Sequence, residues 1–246
     1  PYTLDKLSVV KICQRAENAF VGVNCGIMDQ YASVFGKQGH ALFLDCRTLQ
    51  CQPVPLPLAT HRLLVIDSMV KRKLVSGEYN KRREQCAEAV KALKARFPQV
   101  KALRDLEEAD LAKALPLLPP VVAKRAEHVV RECARVKAAV AALRAGNLKG
   151  VGALLNASHE SLKTLYEVSC PELDLLVGTA QRTPGVLGAR MMGGGFGGCA
   201  IALVETPAVD LAKREVSRVY QHRFGTTPPF HDVEAADGTS EVVAPS

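Results

Sequence analysis

Five glycines fall within six residues near the end of this 246-residue chain, in the run Gly193-Gly194-Gly195-Phe196-Gly197-Gly198. The flanking residues 186–192 and 199–204 are apolar and strand-like in length and composition. Glycine tolerates positive φ angles and lets the main chain pass close to other atoms. The sequence therefore predicts two strands joined by a glycine loop.

The same run matches the dinucleotide-binding pattern Gly-x-Gly-x-x-Gly at Gly193, Gly195 and Gly198. That pattern binds a pyrophosphate where it opens a helix, because the amide groups at the helix start face the phosphates. Residues 199–204 are predicted to form a strand instead, so we reject a dehydrogenase site. A tight structural turn and a loop that faces a ligand remain equally compatible with these residues.

The rest of the chain alternates amphipathic helical segments with short strand-like segments. Helices are predicted at residues 4–20, 27–35, 77–97 and 121–145, from a capping box at 169–172 to residue 180, and at 207–224. Strands are predicted at 41–46, 63–69 and 230–233, with Pro53, Pro55 and Pro57 breaking up the stretch between the first two. Residues 237–246 are expected to be a loose tail. This mixture indicates an α+β layer architecture.

The composition favours a soluble, globular, cytoplasmic protein. Hydrophobic residues make up 48% and charged residues 23% of the chain, and no apolar run reaches the ~18 residues needed to cross a bilayer. We therefore expect no membrane partner, and nothing in the sequence points to secretion. Eight cysteines are scattered without a C-x-x-C pair, which predicts reduced, mostly buried thiols and no metal site.

The net charge of +7 includes two local runs, Lys71-Arg72-Lys73 and Lys81-Arg82-Arg83. A basic surface of this kind is compatible with nucleic-acid binding. Aromatic residues are only 5% of the chain and tryptophan is absent, so no stacking platform for single strands is indicated. We interpret the runs as solvated helix faces, or as a positive field that attracts an anionic substrate, and expect no nucleic-acid partner.

Two polar residues, Asp29 and Tyr79, are candidates for chemistry, and two histidines are considered beside them. Asp29 falls in the first turn of the helix predicted at 27–35, where unpaired amides favour a charged carboxylate; it is either a catalytic group or only a partner of the helix dipole. Tyr79 opens the helix predicted at 77–97, as a half-buried aromatic or as a donor to a ligand hydroxyl. His128 and His159 lie in helical stretches and are interpreted as structural.

Four segments in a fixed order carry a resemblance to a known family. They are Cys25-Gly26-Ile27-Met28-Asp29-Gln30, then Glu78-Tyr79, then Glu167-Val168-Ser169-Cys170-Pro171-Glu172-Leu173-Asp174, and then residues 192–199 around the glycine run. Together they resemble the galactokinases, members of the GHMP small-molecule kinase superfamily. The resemblance runs from about residue 8 to the end of the chain. It implies a two-lobe α+β fold, with residues 1–58 from the N-terminal lobe and residues 59–246 as the C-terminal lobe.

The resemblance also implies a reaction and the residues that perform it. The family transfers the γ-phosphoryl group of ATP to the C1 hydroxyl of α-D-galactose. Asp29 matches the aspartate that contacts this hydroxyl and accepts its proton. Tyr79 and Gly26 match sugar-binding positions, and the loop glycines Gly193, Gly194, Gly195, Gly197 and Gly198 match a motif that lines the active-site cleft.

The family's first two motifs are not found in the sequence. The second is a Pro-x-Gly-x-Gly-Leu-Ser-Ser-type loop that holds the phosphates and supplies a magnesium ligand. We therefore expect the residues that bind ATP and Mg²⁺ to lie upstream, and the chain to be a monomeric fragment that is inactive by itself. The alternative is a non-catalytic, galactokinase-like protein that senses galactose and signals to a partner.

Overall fold

The computed structural model describes residues 5–22, 25–70 and 75–240. The chain divides into two compact units: unit 1 comprises Pro1–Leu58 and Glu234–Ser246, and unit 2 comprises Ala59–Val233. Helices are α1 (Lys6–Ala16), α2 (Met28–Phe35), α3 (Val75–Leu93), α4 (Leu111–Ala114), α5 (Pro120–Arg144), α6 (Leu148–Ser161), α7 (Pro171–Arg182) and α8 (Val209–Phe224). Strands are β1 (His40–Leu44), β2 (Cys51–Pro55), β3 (His61–Asp67), β4 (Val186–Met191), β5 (Cys199–Glu205) and β6 (Phe230–Val233).

The predicted α+β class is confirmed, and the predicted helices and strands lie within a few residues of those observed. The helix predicted at 4–20 is α1 followed by a π-helical turn, Glu17–Val21, which ends at Gly22 with φ of 80°. In the described part of the chain, no helix is both long and apolar enough to span a membrane. The basic run Lys71-Arg72-Lys73 lies outside the described residues.

Unit 1 contains α1, α2 and the β1–β2 hairpin. Its small core consists of Val10 from α1 with Ile27, Tyr31 and Val34 at the start and along one face of α2. Tyr31 stacks on Phe35 and donates its hydroxyl to the carbonyl oxygen of Leu49 over 2.9 Å. These contacts fix α2 by its buried face.

Strand β2 contradicts the prediction that prolines break up this part of the chain, because it includes Pro53 and Pro55. Among the described strands it pairs only with β1, antiparallel, with Leu42 opposite Pro53 and His40 opposite Pro55. Main-chain bonds at the ends of the hairpin join Asp45 to Gln50 and Leu56 to Gly39. The alternation of the ladder then places both prolines at positions that do not hydrogen-bond to β1, where proline is tolerated.

The expected loose tail is also wrong for the residues that the structure describes. The N–H of Gly238 donates to the carbonyl of Gly36, and that of Thr239 donates to Ser33, each over 2.8 Å. The Asp237 carboxylate accepts the N–H of Gln38. Residues 237–239 are therefore tied to the end of α2 by long-range bonds that no local sequence pattern encodes.

Unit 2 is built on a four-stranded sheet in the order β4-β5-β3-β6, in which every neighbouring pair is antiparallel. Alternate side chains of β3, β4 and β5 form one apolar face with α7 and α8. The predicted stripe of α7 is confirmed, since Leu173, Leu176, Val177 and Ala180 are all buried. The predicted capping box is wrong: Cys170 is the N-cap residue, and Ser169 donates to the Asp174 carboxylate over 2.7 Å.

A second core in unit 2 is helical and joins α3, α4 and α5 through the turns between residues 97 and 118. Leu93 from α3 and Val130 from α5 are among its most buried side chains. The cysteines are not mostly buried as predicted, because Cys13 and Cys46 are exposed and the other six are half-buried.

The outer edge of β4 is covered by α6. The N–H of Ala189 donates to Asn156 Oδ1 over 2.9 Å, and the N–H of Met191 donates to His159 Nδ1 over 3.3 Å. The main chains meet at Gly152 and Gly188, where an added Cβ would lie within 2.2 Å of a backbone oxygen. Side chains of α6 thus take up amide groups that an edge strand would otherwise expose.

Candidate functional site

The glycine loop connects β4 and β5 as a hairpin. The N–H of Met192 donates to the carbonyl of Cys199 over 2.8 Å at its base. Gly193, Gly195, Gly197 and Gly198 all have positive φ, and Phe196 joins them with φ of 58°. Strand β5 follows the loop directly, so the prediction that a strand and not a helix follows the glycine run is confirmed.

Two loop glycines are required by close contacts with neighbouring main chain. A Cβ at Gly195 would lie 2.0 Å from the carbonyl oxygen of Val168, and one at Gly197 would lie 2.8 Å from that of Val70. Gly198 accepts the N–H of Ser68 at the end of β3 over 3.0 Å. These contacts hold the loop in one conformation against neighbouring segments of unit 2.

The loop forms one wall of a cavity of about 210 Å³ in unit 2. Tyr79, on the first turns of α3, stands opposite: its ring is 3.5 Å from the place a Cβ on Gly194 would occupy. The cavity is lined by Tyr79, Arg82, Leu162, Tyr166, Val168, Gly193, Gly194 and Phe196. The structure therefore brings together Tyr79 and the glycine loop, two of the predicted site elements.

Arg82 belongs to this site and was missed, since the sequence analysis treated its run as solvated. Its side chain is buried and donates to the carbonyl oxygens of Tyr166 and Glu167, both over 2.8 Å, and to the Glu78 carboxylate over 3.1 Å. Its guanidinium lies 5.7 Å from the centre of the Phe196 ring. Its helical position, three residues after Tyr79, was the only signal in the sequence, because residues so spaced share a face.

A second buried arginine supports the same wall from α5. Arg125 donates to the Leu165 carbonyl and, over 2.7 Å, to the carboxylate of Glu167. Glu167 has a left-handed main chain with φ of 54°. The hydrogen bond from Arg125 lowers the pKa of the Glu167 carboxyl, and Lys124 adds to this effect. Successive carbonyls of residues 165–167 are thus held by two cations as the chain leaves the π-helical turn Leu162–Tyr166.

Tyr166 also lines the cavity. Its ring stacks on His128 with centroids 4.4 Å apart, and its hydroxyl lies 3.8 Å from the Cys86 sulfur. Burial raises the pKa of Tyr166 well above its ordinary value. It therefore stays neutral and acts as a rigid wall. His128 and His159 are buried and hydrogen-bonded, which supports their interpretation as structural.

Asp29 and Gly26 lie in unit 1. Asp29 is in the first turn of α2, as predicted, and its side chain is exposed. Neighbouring Ile27 and Tyr31 are buried, so the helix is anchored on one face while the carboxylate faces solvent. Gly26 is exposed and has open space around its Cα. No steric contact within the described residues therefore requires glycine at that position.

A second cavity and clusters of metal-binding side chains are the alternative places for a site. The second cavity, of about 450 Å³, is lined mainly by apolar residues of α3 and residues 101–104 and contains none of the predicted site residues. No group of three or more His, Cys, Asp or Glu side chains within residues 5–22, 25–70 and 75–240 is arranged to hold a metal ion.

Comparison with known families gives matches at both ends of the chain. The family described as GHMP kinases N terminal domain matches residues 2–37, and GHMP kinases C terminal matches residues 139–222. The galactokinase of Thermotoga neapolitana is 46% identical over 241 residues, which cover 98% of this chain and 66% of that protein. The Homo sapiens galactokinase is 44% identical over 228 residues, covering 93% of this chain and 56% of that protein.

Solved structures give the same family. Galactokinase of Lactococcus lactis, complexed with galactose, superposes with a TM-score of 0.94 at 39% identity, over 98% of this chain and 62% of that one. Mevalonate kinase of L. major reaches a TM-score of 0.58 at 19% identity, which shows a shared fold alone. The chain spans 66% or less of the length of these curated and solved galactokinases.

Proposed function

The chain belongs to the GHMP kinases, and from this premise we propose that it carries the sugar-handling part of a galactokinase. The reaction transfers the γ-phosphoryl group of ATP to the C1 hydroxyl of α-D-galactose and yields galactose 1-phosphate. The observation that carries the proposal is the cavity in unit 2, where the Tyr79 ring faces a glycine loop held in one shape. The likeness to a galactokinase that holds galactose supports it.

In this proposal each predicted site residue has a separate task. Phosphoryl transfer depends mainly on positioning the reactants and stabilising charge. The Tyr79 hydroxyl hydrogen-bonds the sugar, since a phenol can both donate and accept. The loop residues Gly193 and Gly194 shape the wall with main chain alone, while Gly195, Gly197 and Gly198 keep that wall in place. Gly26 offers main chain close to the substrate without a side chain in the way.

Asp29 is proposed as the group that handles the C1 hydroxyl. A carboxylate within hydrogen-bond reach of an attacking hydroxyl orients it and accepts its proton as the new P–O bond forms. Asp29 is exposed in the first turn of α2, so its carboxylate is open to a ligand. ATP is the second substrate, and Mg²⁺ supplies charge neutralisation at its phosphates. We assign no described residue of this chain to Mg²⁺, because no suitable cluster is found among them.

The test is a kinase assay on the protein expressed from its natural gene, with ATP, Mg²⁺ and galactose. Asp29→Asn is compared with Asp210→Asn, because Asp210 is also an exposed acid in the first turn of a helix. We expect turnover that Asp29→Asn lowers at least ~100-fold, and that Asp210→Asn leaves intact. Unchanged turnover in Asp29→Asn would remove this residue from the chemistry.

Galactose binding, measured beside turnover, separates the alternatives. A folded protein that binds galactose in equilibrium dialysis but does not phosphorylate it would favour the sensor alternative. A protein that neither binds nor phosphorylates galactose would refute the proposal. The 246-residue chain assayed by itself is predicted to be inactive, because its sequence lacks the family's phosphate-binding loop. A cytoplasmic monomer also remains a prediction, and light scattering tests the monomer.

A further inference from the structure

Arg82 has no role in the proposed function, yet its side chain makes three hydrogen bonds beside the cavity. Its side chain is only 8% exposed, yet it carries a full positive charge and reaches three acceptors on two different segments. Burying a cation is costly unless it is paired and hydrogen-bonded. Its carboxylate partner among the described residues, Glu78, is itself 44% exposed, so the two main-chain carbonyls complete the hydrogen bonding of the buried charge.

These acceptors place Arg82 between the two walls of the sugar cavity. On one side, α3 carries both Tyr79 and Arg82, three residues apart on one face. On the other side, the carbonyls of Tyr166 and Glu167 directly precede Val168, whose own carbonyl accepts the N–H of Phe196 in the glycine loop. The guanidinium also lies 5.7 Å from the Phe196 ring centre. Arg82 therefore connects Tyr79, the 166–168 segment and the loop.

We propose that Arg82 is a positioning residue for sugar binding, which acts by holding Tyr79 of α3 at a fixed distance from the glycine loop. This rests on the proposed function, since it presumes that Tyr79 binds the sugar. A guanidinium has a planar fork that can serve several acceptors at once, whereas a lysine ammonium is a point charge on a flexible stem. Arg82→Lys keeps the charge and loses the fork.

The kinetic test uses the protein expressed from its natural gene. It compares Arg82→Lys with Arg83→Lys, a matched change at the exposed neighbour on the same helix. Arg82→Lys is expected to raise the KM for galactose about tenfold, since small displacements of positioning groups have effects of this size or larger. The KM for ATP should stay the same and kcat should change less than the galactose KM. Arg83→Lys should change none of the three. Equal effects on galactose and ATP would instead indicate general damage.

A double-mutant cycle shows whether Arg82 acts through Tyr79. If it does, Arg82→Lys should add little to the galactose KM of Tyr79→Phe, because the group being positioned is already lost. Fully additive effects would overturn the proposal. Should Arg82→Lys fail to fold, Glu78→Gln takes its place, because it removes the negative charge that pairs with the guanidinium, and with exposed Lys81 at 3.9 Å, while it leaves both main-chain acceptors unchanged. A smaller rise in the galactose KM is then expected, and no rise would count against the proposal.

Amide hydrogen exchange separates this proposal from the proposed function. The Phe196 N–H, bonded to Val168, should exchange faster in Arg82→Lys than in the wild type or Arg83→Lys. If the wild-type protein neither binds nor phosphorylates galactose, the proposed function fails, and the exchange rate at Phe196 still decides whether Arg82 holds the loop. Unchanged exchange together with an unchanged galactose KM would refute the positioning role.

Discussion

Phe196 donates its main-chain N–H to the carbonyl oxygen of Val168 over 2.7 Å, which joins the glycine loop to the segment that follows the π-helical turn. Gly195 lies against the same oxygen, 2.0 Å from where its Cβ would be. The Val168 carbonyl thus holds the main chain of Phe196, whose ring lines the cavity. It also leaves no room for a side chain at Gly195. The shape of the proposed sugar site depends on this contact.

Gly195→Ala is expected to destabilise the protein by more than about 2 kcal/mol, because φ of 83° alone costs an L-residue about 1–2 kcal/mol and the methyl group overlaps the Val168 oxygen. Gly194→Ala is the matched control in the same loop, since its Cβ meets only the Tyr79 ring at an ordinary 3.5 Å. Its effect should stay within about 0.5 kcal/mol. Urea unfolding measures both, and equal stabilities would contradict this loop geometry.

Local patterns were enough to predict the parts of the fold that repeat along the chain. The apolar runs on either side of the glycines are β4 and β5, and the stripe of α7 is buried as its spacing indicates. The glycine run predicted a loop, but not that Gly195 and Gly197 are required by the carbonyls of distant residues. Contacts across long sequence separations leave no periodic signal.

Arg82 shows the same limit at the candidate site. It stands between Lys81 and Arg83 and looks like part of a solvated face, whereas its two main-chain acceptors are more than 80 residues later in the chain. The prediction for Pro53 and Pro55 was wrong for a different reason. Proline usually interrupts a strand, but in a two-stranded ladder every second position needs no N–H, and both prolines occupy such positions. The residue type shows which hydrogen bonds a residue can make, and the fold determines which neighbours make them.

Gly188→Ala is expected to destabilise unit 2 by about 1–3 kcal/mol, because an added Cβ would lie 2.1 Å from the carbonyl oxygen of Gly152 and push α6 away from β4. Gly178→Ala on α7 is the control: its Cβ meets only the flexible end of Arg182 at 3.3 Å. Alanine there should be neutral or stabilise the helix by up to about 1 kcal/mol. Thermal unfolding compares the two, and a tolerated Gly188→Ala would argue against the close α6–β4 crossing.

Tyr220→Phe is expected to cost about 1–3 kcal/mol of stability, because it removes the hydroxyl that donates to a buried carbonyl. The Tyr220 hydroxyl donates to the carbonyl of Ser68 over 2.6 Å, and burial raises the pKa of Tyr220 to about 12. Tyr166→Phe should cost less, since the partner of its hydroxyl among the described residues is the Cys86 sulfur, at a longer 3.8 Å. If chemical denaturation ranks the two variants in the reverse order, the Ser68 bond contributes less than assigned here.

His159 should make stability depend on pH. It accepts the N–H of Met191 at Nδ1, and Asp174, Lys163 and Arg190 are the charged groups that affect it. Burial is the largest effect and lowers the pKa of His159 from 6.5 to about 4, although Asp174, 3.6 Å away, opposes the shift. The unfolded chain therefore binds a proton between these two values where the folded chain does not.

The contribution of neutral His159 to the free energy of unfolding is fully present above pH 6.5 and is lost as the pH falls from 6.5 towards 4. Between pH 7 and pH 5 we expect His159 to account for a loss of about 2 kcal/mol in the free energy of unfolding. His159→Asn keeps an acceptor for Met191 but cannot be protonated, so its pH dependence should be shallower by about that amount. His222→Asn, a change at an exposed histidine, should leave the profile unchanged. Urea unfolding at both pH values gives the comparison, and parallel profiles for wild type and His159→Asn would show that His159 is protonated in the folded state as readily as in the unfolded chain.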